Sequence, residues 1–155
     1  MEAAEGWLGL GNQVEAFEEL ELITPQLRVH PDVLEIRWQI YAQEKKWEAC
    51  VDIARAITKL APSLSNGWIH WAFSLHELKR TKEAKEVLLP VLNKFPKEPI
   101  MRYNLACYCC QLGNLKESRA WLEKTFELAG KNEVKLMALN DHDLEPLWRE
   151  IGKTQ

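Results

Sequence analysis

No apolar run in this 155-residue chain approaches the roughly 20 residues that a membrane span requires. No stretch alternates β-branched and polar residues as a half-buried strand does, so a sheet is not expected. Strong charge of either sign is also missing: 20 Lys and Arg against 23 Asp and Glu leave a net charge of −3. Such a chain has no global positive field with which to gather nucleic acid or an anionic membrane, and neither is expected as a partner. The sequence has no phosphate-cradling loop, no Gly-x-Ser-x-Gly, no His-Glu-x-x-His and no pair of Cys-x-x-Cys units. Catalysis and a bound cofactor are therefore not expected. The opening Met1-Glu2-Ala3-Ala4-Glu5 lacks the positive region and apolar stretch of a signal peptide. Of the four cysteines, Cys107, Cys109 and Cys110 crowd one helical stretch where they cannot sensibly bridge one another, which suggests a reducing, cytoplasmic setting.

What the chain does have is helix-forming composition and a period. Ala, Leu, Glu and Lys are abundant, and the seven glycines and seven prolines fall mostly between periodic segments. Trp68, Trp71, Leu75 and Leu78, then Ala84, Leu88, Val91 and Phe95-Pro96, read as a helix, a short turn and a second helix ended by proline. A shift of 34 residues relates Pro96 to Pro62, and Ser65 to Pro31 and Pro99. A period of that length marks one supersecondary unit stacked on copies of itself.

Small or medium residues at the eighth, twentieth and twenty-seventh places, a large one at the fourth or eleventh, and Pro at the thirty-second make the chain resemble a tetratricopeptide (TPR) array. In the middle copy those places hold Ala72, Ala84, Val91, Trp68, Leu75 and Pro96. The third copy carries Leu105-Ala106, Cys109, Gly113-Asn114, Ser118, Leu122 and Thr125. The first has Leu34, Tyr41, Trp47, Cys50, Ile57 and Pro62, but Arg37-Trp38 stands where Leu-Gly or Leu-Ala is expected. The resemblance implies an all-α fold, a right-handed superhelical stack of antiparallel helix pairs, forming a single domain over 1–155. Its parts are a half repeat at 1–30, repeats at 31–64, 65–98 and 99–132, and a C-terminal capping helix at 133–155. Neighbour packing of Trp38, Trp47, Trp68, Trp71, Leu88, Leu105, Trp121 and Leu122 is expected to stabilise it.

Two local features qualify the pattern. Pro90 lies inside the second helix of the middle copy, where it removes a backbone bond and is expected to bend the helix near Glu86. After Gly130, Leu144, Leu147, Trp148 and Ile151 fall on one helical stripe, which reads as a helix closing the stack.

The resemblance further implies that the first helix of each pair lines a concave face through its second, fifth, sixth, ninth, twelfth and thirteenth residues. Candidate partner-binding residues are Glu35, Gln39, Ile69, His70, Phe73, His76, Tyr103, Asn104 and Cys107. Among all these places no Lys or Arg occurs, while Asp32, Glu35 and Glu77 do. A clamp for a peptide carboxylate is therefore not expected, and a neutral or basic protein segment fits better. Gln39, His70 and Asn104 would bond a ligand backbone; Phe73 and Tyr103 would supply apolar contact. Two other classes stay open: homo-oligomerisation through the end helices, and thiol or metal chemistry by Cys107, Cys110 and His70. The sulfurs of Cys107 and Cys110 lie on one side of a helix, but mid-helix rather than at the N-terminus where a thiol pKa is lowered, and they read better as packing residues.

Overall fold

The computed structural model describes residues 29–153. Apart from Val29 and His30, the expected half repeat at 1–30 lies outside the described residues. Among those described there is no strand, and the fold is all-α. The elements are α1 (Pro31–Gln43), α2 (Trp47–Leu60), α3 (Ser65–Glu77), α4 (Thr81–Leu88), a 3-10 helix (Leu89–Lys94), α5 (Pro99–Gln111), α6 (Leu115–Leu128), α7 (Lys131–Leu139), a second 3-10 helix (His142–Leu147) and α8 (Trp148–Lys153). Helix starts at Pro31, Ser65 and Pro99, and again at Trp47, Thr81 and Leu115, are each 34 residues apart.

Local chemistry sets these limits. Pro31 and Pro99 occupy first turns, where a missing amide costs no intrahelical bond. His30 Nδ1 and a Glu98 carboxylate oxygen each accept from the amide two residues on. The turn after each first helix then repeats one closure. Lys45, Lys79 and Gly113 all have positive φ, at 58°, 65° and 84°. Around them Lys46 N–H donates to Tyr41 O, Arg80 N–H to Leu75 O, and Asn114 N–H to Cys109 O. The left-handed residue donates in turn to Ala42, His76 or Cys110 O, which completes a Schellman closure at every turn.

The chain divides into two compact units, one up to Ser74 and one from Leu75. In the first, α1 packs on α2 around Trp38, Cys50 and Ala54. Trp38 is 8% exposed. It stands where later copies have Ala72 and Ala106, and the small Cys50 and Ala54 on the facing helix make room for its ring. Its indole N–H donates to Ser74 Oγ at 3.0 Å. Trp47, Trp71 and Phe73 pack at the margin of this cluster and are only partly buried. Gly67 permits close approach of α3 to α2: a Cβ there would lie 2.8 Å from Ile57 Cγ2 and 3.1 Å from the Thr58 backbone nitrogen.

In the second unit α5 packs on α6, and nearly all of α5 is buried. Ser118 Oγ donates to Ala106 O at 2.7 Å; 68 residues earlier, Cys50 Sγ lies 3.7 Å from Trp38 O in the equivalent place. Pro90 marks a change of helix type: the α-helix ends at Leu88 and the backbone tightens into a 3-10 helix with Pro90 in its first turn. Past the end of this 3-10 helix, Arg102 donates to Leu92 O, Phe95 O and Glu98 O. The single closing helix expected at 133–155 is corrected. Asp141 caps a 3-10 turn containing Pro146, so the segment breaks into α7, that turn and α8. The apolar stripe persists through the break, with Leu144, Leu147 and Ile151 all buried, while Trp148 donates to Ala138 O and Asp141 O.

Two outcomes follow for stability. Trp38→Ala is expected to cost about 3–5 kcal/mol in urea unfolding, as other buried aromatic truncations do, and more than Trp71→Ala. Lys79→Gly should raise stability by about 0.5–1 kcal/mol, because it relieves a left-handed strain of about 1–2 kcal/mol and loses part of that to glycine's entropy. Gly113→Ala, with nothing within 4 Å of the added Cβ, should be destabilised by backbone strain alone.

Candidate functional site

Each unit presents the expected inner-wall residues in a different state. In the first, Asp32, Glu35, Ile36, Gln39 and Asn66 line an open cleft of about 340 Å³ with Pro31 and Leu64 at its edges. The cleft exists because the second, fifth, sixth and ninth residues of α1 share a face, and the second residue of α3 meets it. Glu35 is its polar hub. Its carboxylate accepts from Asn66 Nδ2 at 3.0 Å and Gln39 Nε2 at 3.4 Å, and lies 2.6 Å from His70 Nε2.

Burial works to raise the Glu35 pKa. The hydrogen bond and charge of His70, with the amides of Asn66 and Gln39, outweigh it and hold the carboxyl below its ordinary value of 4.5. The His70 ring in turn stacks on Trp38, with centroids 3.7 Å apart. Phe73 sits edge-on to Trp38 and Trp47 at 6.2 and 5.6 Å. His70 and Phe73 are thus tied into the Trp38 cluster, and Gln39 is the exposed member of the expected set. Ile69 is partly buried.

In the second unit the expected residues meet the chain's own closing turn. Tyr103 and Cys107 are 5% and 4% exposed. The Tyr103 hydroxyl donates to Asp141 Oδ2 at 2.8 Å, and Cys107 Sγ lies 3.6 Å from the same oxygen. His76 Nε2 is 2.8 Å from Asp143 Oδ2, and its Nδ1 is 2.9 Å from Thr81 Oγ1. Gln111 Nε2 donates to Asp143 O. Tyr103, Cys107 and His76 therefore hold residues 141–143, and of this set Asn104 is half-buried. Asp141 and Asp143 were not foreseeable in this role, because nothing local links a turn to side chains some 30 to 70 positions earlier.

The thiols are not poised for redox chemistry. Burial pushes Cys50 up to about 11 and Cys109 up to about 12, and burial with the fields of Asp141 and Asp143 raises Cys107 well above its ordinary value. Cys110 is also buried and raised. Of the thiol and metal set weighed from the sequence, His70 is engaged by Glu35.

No protein-family model and no curated protein sequence matches the chain. Among solved structures it is similar to MamA MSR-1 C2, with a TM-score of 0.68, 21% identity, and coverage of 81% of this chain and 72% of that chain. The likeness shows a TPR-like helical fold, in agreement with the paired helices described above. Among the described residues no helix is long and apolar enough to cross a membrane.

The carboxylates at both places predict an acid limit to stability. A carboxyl whose folded pKa is depressed binds fewer protons than in the unfolded chain, so its contribution is present above the ordinary value and lost as pH falls through the folded one. Asp143 is held below 3.8, chiefly by the His76 hydrogen bond. Melting temperature should therefore fall as pH drops below 4.5, and Glu35→Gln should show a shallower acid decline in a calorimetric pH series.

Proposed function

We propose that the protein is a non-catalytic interaction module that binds an extended segment of another protein in the cleft beside α1. The observation that carries this is the cleft itself, formed by Asp32, Glu35, Ile36, Gln39 and Asn66. A TPR-like fold is compatible with many functions, so the lining and not the architecture favours this one. Amide groups on Gln39 and Asn66 offer hydrogen bonds to a peptide backbone, Ile36 offers an apolar floor, and Asp32 and Glu35 set the charge preference. A neutral or basic segment complements that lining; an acidic one meets two carboxylates with no cation among the lining residues.

A second reading, self-association through an end helix, is favoured by one observation. On α7, Leu136 is 66% exposed and Met137 42% exposed. A mass by light scattering that rises with concentration supports it, and a constant monomer mass removes it.

The principal test is selection of peptides from a random display library, followed by NMR mapping of the best binder. Shifted amides should centre on Asp32, Glu35, Gln39 and Asn66, and the selected peptides should be neutral or basic. Asp32→Arg with Gln39→Arg, both at exposed positions, should weaken a basic binder by about tenfold or more, the scale of 1.4 kcal/mol. Shifts confined to other surfaces, or a preference for acidic peptides, would count against the cleft.

A further inference from the structure

Two aspartates, a thiol and an imidazole meet where the closing turn crosses α5. Cys107 Sγ and one oxygen each from Asp141 and Asp143 all lie within 4.8 Å of one another. Two of the three come from a turn that caps itself, with Asp143 N–H donating to Asp141 Oδ1 at 3.0 Å. We propose that Cys107, Asp141 and Asp143 bind a divalent transition metal of the zinc class, with Tyr103 and His76 as positioning residues that orient the two carboxylates.

The donor set fits that class. One thiolate with two carboxylates suits a borderline cation such as Zn(II) rather than Mg(II) or Ca(II), which take oxygen ligands. In tetrahedral coordination, bonds of about 2.0–2.3 Å put ligand atoms roughly 3.3–3.8 Å apart, so the cluster needs to contract by about 1 Å. Both carboxylates already have the outer partners that metal-ligating groups ordinarily have: the Tyr103 hydroxyl on Asp141, and His76 on Asp143, with His76 itself steadied by Thr81. A fourth place would take water.

A second observation points to something bound there. The Tyr108 hydroxyl is the one buried side-chain polar atom among the described residues with no hydrogen-bond partner, and Tyr108 is only 1% exposed. Its ring packs on His76, with centroids 4.9 Å apart. An unpaired buried hydroxyl is costly, and a metal-bound water would give it a partner. Two aspartates converge on a buried thiol, and a bound cation would add to the offset that His76, Lys79 and His142 already give Asp143.

The test uses the reduced full-length chain and the metals alone. One equivalent of Co(II) should produce thiolate-to-cobalt absorption in the near ultraviolet, Zn(II) should abolish it by displacement, and Zn(II) should raise the melting temperature. Cys107→Ser, checked for helical circular dichroism, should lose the absorption. His76→Ala should bind Zn(II) about 10- to 100-fold more weakly, as outer-partner losses do. No cobalt–thiolate band in the wild type, or the same band in Cys107→Ser, overturns the proposal. If Cys107→Ser does not fold, Asp143→Asn at a side chain 36% exposed serves instead, and unchanged Zn(II) affinity there overturns it equally.

Discussion

The structure depends on a single backbone conformation imposed three times. At Lys45, Lys79 and Gly113 the chain turns left-handed, and the two hydrogen bonds around each turn return it antiparallel to the helix just ended. Without that reversal the apolar faces of the helices in each pair would have nothing to close against, because a single amphipathic helix cannot bury its face alone. Only the third turn uses the residue that adopts this conformation without strain. The other two hold lysine there, so tertiary packing and not local preference keeps those turns closed.

That reversal also sets what the interior can contain. The first and third pairs bring the eighth residue of the first helix against the twentieth of the repeat, with different partners: Trp38 with Cys50, Ala106 with Ser118. In the first unit the large ring stands on the first helix and small residues face it. In the second, both sides are small and the backbones approach closely enough for a serine to bond the opposite helix's carbonyl. One period thus accommodates different packing solutions, since what matters to a close-packed interior is shared volume across the contact.

Much of this was legible before any coordinates. The recurrence of Pro31, Ser65 and Pro99 marks the first-helix starts, because proline and a polar residue both suit a first turn. Pro90 was legible as a disturbance but not in its effect. A proline forbids one bond locally, whereas the 3-10 path that follows ends on carbonyls held by Arg102, ten residues beyond Leu92, which no local pattern announces. The break at Asp141 has the same origin. The spacing of Leu144, Leu147 and Ile151 suits a helix and their burial followed, but the path of the backbone between them was set by Asp141 and Pro146. At the candidate sites, the resemblance put Glu35 and Gln39 on one face, and in the structure both line the cleft beside α1. It could not show that Tyr103 and Cys107 face Asp141, because that contact is made across 38 and 34 residues by a segment outside the period.

The consequence for function is a contrast between two acidic places built from equivalent positions. Glu35 and Tyr103 are each the fifth residue of a first helix, yet Glu35 answers to side chains that leave an open cleft beside it, while Tyr103 is spent on the chain's own turn. A surface that must bind another molecule needs its polar groups oriented but not consumed. Glu35 meets that condition: Asn66, Gln39 and His70 fix its carboxylate, and the exposed Gln39 and Asp32 still present unspent donors and acceptors around it. Tyr103, Cys107 and His76 meet the opposite condition, in which every oriented group already points inward at Asp141 or Asp143. Such an inward arrangement is suited to a compact ligand that fits among the side chains, and not to a polypeptide laid across them.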